Sequence, residues 1–171
     1  MSSKKTHLDQ ANHNEKAAKA MIDGDYYDWS CTCAFYSALH YVEARFADIP
    51  KIQHTDKVYE ENKDKLKGED VIKSVHWYRE VLIGNEFPSI RSAYTHLQAT
   101  SKICRYLTGN DKSACDVVSR DTAKRLVNEK LATIKEKLFW VGGLVGICNT
   151  PLYPLMDPIM VHNGERMGLT L

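Results

Sequence analysis

The chain has 171 residues, 43% of them hydrophobic and 26% charged, with a formal net charge of +1. That length suits one domain with a substantial core and is short for two. The near-neutral balance excludes a uniformly basic nucleic-acid coat but leaves room for a local basic site. Five cysteines, Cys31, Cys33, Cys104, Cys115 and Cys148, make an odd number, and MSSKKTHLDQ has no apolar run after its lysines. Reduced thiols in a cytoplasmic protein are the expectation. Two cysteines two residues apart on a helix point to different faces, so no metal site is expected at Cys31 and Cys33.

Taken in order, residues 6–24 carry helical spacing through Leu8, Ala11, Glu15, Ala18 and Met21, with Gly24 as the stop. Residues 28–47 form the most apolar helix of the chain. One stripe runs Trp29, Cys33, Tyr36, His40 and Ala44, and a second runs Phe35, Leu39, Val42 and Phe46. A helix apolar on most of its circumference is expected at the centre of a bundle. Asp23 or Asp25 is a candidate cap, and Pro50 ends the run. The first stripe is expected to share a buried face with Tyr94 and Leu97.

Thr55 or Asp56 opens a short helix toward Gly68, and residues 69–82 form another, broken by Gly84 and Asn85. Pro88 fits the first turn of a helix whose inward stripe is Ile90, Tyr94, Leu97, Ser101 and Cys104. Asp111 or Ser113 starts a last long helix to about Leu138. Its apolar positions are Val118, Ala123, Leu126, Leu131, Ile134 and Leu138, and cations from Arg120 to Lys137 stand between them. No long stretch alternates with period two, so the predicted fold is all-α, a bundle over residues 1–138. The apolar run from Phe139 to Cys148 is too short for a membrane span, and Pro151, Pro154 and Pro158 follow it. Residues 139–171 are therefore expected to form an irregular tail against the bundle, a second subunit or a partner, with no membrane involved.

Three segments carry a family resemblance: HLDQANHNE at 7–15, YYDWSCTCAFYSALHYVEARFA at 26–47 and YTHLQATSKICRY at 94–106. Together they resemble an uncharacterised prokaryotic branch of the HEPN domains, over roughly residues 6–107. That branch follows its loop histidine with His-x-x-Arg, whereas His54 here is followed by Lys57. The resemblance implies a helical bundle that works as a homodimer. It further implies a cofactor-free, metal-independent ribonuclease acting on RNA in a toxin or defence system, with an antitoxin or other protein partner.

The family's Arg-x4–6-His motif has one match, Arg91-Ser-Ala-Tyr-Thr-His96. Histidine moves protons near neutral pH, and arginine offers a permanent forked donor to a phosphate gaining charge. The family places a polar amide or acid after the arginine, where Ser92 stands here. Positions five apart diverge by about 140° round a helix, so convergence requires two subunits. Arg105, with Ser101 on the Tyr94 face, is a second candidate, for a carboxylate or phosphate. His40, Glu43, Asn14 and Tyr36, with Glu15 and Asp28 nearby, are candidates for a buried polar network between the first two helices. A non-catalytic HEPN binding or scaffolding module is the reading from another class.

Overall fold

The computed structural model describes residues 2–63, 74–107 and 111–139. The described residues are all-α: α1 Lys4–Asp23, α2 Tyr27–Phe46, α3 Thr55–Asn62, α4 Val75–Glu86, α5 Pro88–Tyr106, α6 Ala114–Val117, α7 Arg120–Arg125 and α8 Ala132–Phe139. None of these helices is long and apolar enough to cross a membrane.

α1 and α2 form an antiparallel hairpin that the sequence permits by placing small residues at the seam. Ala11 and Ala18 are fully buried, and the Ser37 and Ser30 hydroxyls donate to the Ala11 and Ala18 carbonyls, each at 2.8 Å. The absence of side-chain bulk lets the backbones approach, and each buried hydroxyl is satisfied where it lies. Ser3 caps α1 by accepting from the Thr6 amide, and Gly24 closes it. α2 has no side-chain cap. Asp25, expected as one, sits in the left-handed region at φ 62° and accepts instead from the Tyr27 hydroxyl.

α5 runs antiparallel to α2 on its other side. Phe46 stacks on Phe87 at 5.7 Å, and Phe35 meets Tyr94 edge-on at 5.8 Å. The core is built from Phe35, Tyr41, Val42, Phe46, Ile83, Ile90, Tyr94, Leu97, Leu126, Leu131 and Ile134. Each such side chain contributes about 1.5–3 kcal/mol by leaving water.

The structure differs from the sequence reading in three further places. Gly84 and Asn85 do not break α4, which continues to Glu86; Gly84 lies under the Arg91 side chain, which a Cβ there would touch at ordinary contact distance. The single long helix expected over 111–138 is divided. Ser119 starts α7 by capping Thr122, and a π-helical turn spans Leu126–Leu131 before α8. Val118 and Ala123, both buried, are a five-residue step, and the break at Ser119 absorbs it; the π turn brings Leu126 and Val127 to the core together with Leu131.

The third difference is the Trp29 stripe. Trp29 is 57% exposed, and Cys33, Tyr36 and His40 are half-buried. The face against Tyr94 and Leu97 is the Phe35 side, so Trp29 does not share it. The 139–171 tail lies outside the described residues beyond Phe139.

Candidate functional site

On α5 the buried positions Ile90, Ala93, Tyr94, Leu97 and Ser101 form one stripe, and Arg91 and His96 are exposed on its two flanks. Arg91 leans toward α4, with its guanidinium 3.7 Å from Glu80 and its side chain over Gly84. His96 shares the other flank with Ser89, seven residues earlier, whose carbonyl accepts from Lys137 of α8 at 3.1 Å. Within one chain the two residues leave α5 about 140° apart, on different flanks, and do not converge on one phosphate. Tyr94 and Ser101 are fully buried, so they support α5 from inside and face no solvent ligand.

Arg105 stands at the surface end of the same helix. Its Nε donates to the Ser101 carbonyl at 3.2 Å, and its Nη1 donates to the Tyr36 hydroxyl at 2.9 Å. Its guanidinium carbon lies 4.9 Å from the Tyr106 ring centre, 5.4 Å from Tyr36 and 5.9 Å from Phe35. This is a cation held by aromatic faces. Cys104, next to it, and Cys31 of α2 are both free thiols.

A polar centre forms where α1, α2, α3 and α4 meet. Glu43 of α2 is 1% exposed; its Oε1 accepts from Arg79 of α4 at 2.6 Å and its Oε2 accepts from the Thr55 amide at 3.1 Å. Burial pushes the Glu43 carboxyl up, but Arg79 and Thr55 outweigh it and hold the group below its ordinary value. Four histidines surround this pair. His7 Nδ1 lies 3.1 Å from His40 Nδ1, and the His7 and His54 rings are 5.2 Å apart. His76 is 3.3 Å from Arg79. Burial lowers His7, His40 and His76 below 6.5, so each is neutral near pH 7. Among the described residues, no group of three His, Cys, Asp or Glu is placed to hold a metal ion.

The residues expected in one network are therefore divided among several. His40 joins His7, and Glu43 joins Arg79. Asn14 accepts from Gln10 at 2.9 Å, away from both. Glu15 accepts from Tyr41, Lys135 and Lys19. Burial pushes the Glu15 carboxyl up, but hydrogen bonds from Lys135, Lys19 and Tyr41 prevail and hold it down at about 2. Asp28 is half-buried, and its carbonyl accepts from Thr32. Sequence reasoning passed over His7, His76 and Arg79. The signal for the last two was present as His76-x-x-Arg79, one helical turn on one face.

Comparison with protein families, curated proteins and solved structures returned no match to this chain.

Proposed function

We propose that this chain is a HEPN-like binding module for RNA, with no nuclease site assembled inside a single chain. One observation carries the reading: Arg91 and His96, the motif pair, leave α5 on opposite flanks of its buried stripe. A phosphoryl-transfer site needs its arginine and histidine at hydrogen-bond reach of the same group. What remains on the surface is Arg105 among aromatic rings, an arrangement suited to holding a ligand and not to moving its protons.

A second reading, the dimeric metal-independent ribonuclease of a toxin or defence system, is favoured by the exposure of both Arg91 and His96. Exposed side chains are available to a second subunit. One experiment separates the two. Single-stranded RNA is incubated in chelator with wild type and with His96→Ala, and both retention and cleavage are followed, with the mass in solution measured alongside. The module retains intact RNA as either variant. Cleavage by wild type that disappears in His96→Ala establishes the nuclease instead, and failure to retain RNA removes the RNA-binding reading.

A further inference from the structure

We infer that the strip made by Trp29, Tyr36, Lys102, Arg105 and Tyr106 binds a short unpaired run of RNA, stacking its bases on the rings and seating a phosphate on Arg105. The inference rests on the RNA-binding reading and assigns it a place on the molecule distinct from Arg91 and His96.

The strip crosses two antiparallel helices. Trp29 and Tyr36 lie seven residues apart on α2, two turns and about 10 Å along one face. Arg105 and Tyr106 lie three and four residues after Lys102 on α5, one turn along the same side. Because α2 and α5 are antiparallel, the Trp29 end of one lies beside the Arg105 end of the other. Trp29 is 57% exposed and Tyr106 66%, so two large rings of the strip stand open to solvent.

Arg105 is positioned and yet unsatisfied. Nε and Nη1 are fixed on Ser101, Tyr36 and Tyr106. No carboxylate pairs with Arg105 among the described residues, whereas the buried Arg79 is held by Glu43. A guanidinium held in one orientation by rings loses little freedom on binding, and its remaining edge presents a donor to an anion. A phosphate oxygen is the complement of that edge. Exposed rings around it are the complement of unpaired bases, whose faces are free to stack, whereas a duplex keeps its base faces inside. Lys102, exposed one turn before Tyr106, adds a second cation for the backbone.

The test uses the full chain and a fluorescently labelled short oligouridine, read by polarisation at low salt. Trp29→Ala, Tyr106→Ala and Arg105→Lys each weaken binding about ten-fold or more, the scale of losing a stacking ring or a forked phosphate contact. A duplex of the same length does not compete, since its base faces stay inside. Trp29 and Tyr106 are exposed, so their variants keep the fold whatever Arg105→Lys does. Wild type that binds RNA with all three strip variants unchanged overturns the site and leaves the RNA-binding reading standing. Equal competition by duplex overturns the site too. Wild type that binds no RNA removes the reading, and the site with it.

Discussion

Arg79 donates from Nε to Oε1 of Glu43 across 2.6 Å, with the two side chains 4% and 1% exposed. The pair ties α4 to α2, and the Thr55 amide adds the start of α3 to the same carboxylate. Removing one partner strands a charge out of water, at a cost of about 3–5 kcal/mol, whereas removing both leaves none stranded. Arg79→Leu is therefore expected to lower the unfolding free energy by that amount, and Glu43→Leu with Arg79→Leu to recover most of it. Urea unfolding of the two singles and the double measures this. A double mutant as unstable as the sum of the singles contradicts it.

Stability is expected to fall on mild acidification. His7, His40 and His76 have folded-state values below the 6.5 of a free imidazole, chiefly through burial. In the unfolded chain they take up protons first, so the unfolded state binds more protons and stability rises with pH through this window. The contribution is complete above about 6.5 and is lost as pH falls below it toward the depressed folded values. The groups facing His7 and His40 are Glu43, His54, Arg79 and Asp56; Glu43 and Asp56 favour the protonated ring but do not overcome burial. The short His7–His40 contact holds only one proton between its two nitrogens, so charging both rings breaks it. Melting temperature should drop between about pH 7 and pH 5. His7→Gln with His40→Gln should flatten that drop, and a melting temperature that climbs on acidification would be the wrong sign.

Trp29 and Phe35 stand six residues apart on α2 with opposite consequences. Phe35 has 0% exposure and meets Tyr94, while Trp29 is mostly in solvent. Phe35→Ala should cost about 3–5 kcal/mol. Trp29→Ala should cost well under 1 kcal/mol, as surface substitutions do. Chemical unfolding of both variants decides, and equal losses would show that Trp29 is a core residue after all.

The α1–α2 seam should reject bulk. Ala11 and Ala18 have 0% exposure and their carbonyls accept from α2 serines. Ala18→Leu has no room and should destabilise by about 1–3 kcal/mol through forced separation of the helices. Ser37→Ala should cost about 1 kcal/mol, the net worth of one hydrogen bond. An Ala18→Leu protein that melts like wild type would show a looser seam than the one described.

The all-α class, the starts and stops at Gly24, Pro50 and Pro88, and the inward stripe of α5 were legible in the sequence. Each follows from the chemistry of a few neighbouring residues and the 3.6-residue period. The same local rule carried the last helix too far, because the break before Ser119 and the π turn over Leu126–Leu131 are features that only packing selects. For α2 the period marked two apolar stripes and had no means of ranking them. Tertiary contact chose the Phe35 face for the core and left Trp29 outside, where a residue of equal hydrophobicity costs little.

The polar residues divide in the same way. Sequence alone established which side chains can carry charge or a proton, since those are properties of single residues. It could not establish their partners, because Glu43 and Arg79 are 36 residues apart and His7 and His40 are 33 apart. Such pairs exist only once helices from distant parts of the chain pack together and remove the water that would otherwise screen each group separately. The spacing of Arg91 and His96 foretold their divergence. The identity of the neighbours on each flank, and the hold of three rings on Arg105, were decided by the fold, because burial and orientation are properties of the packed helices and not of the residues themselves.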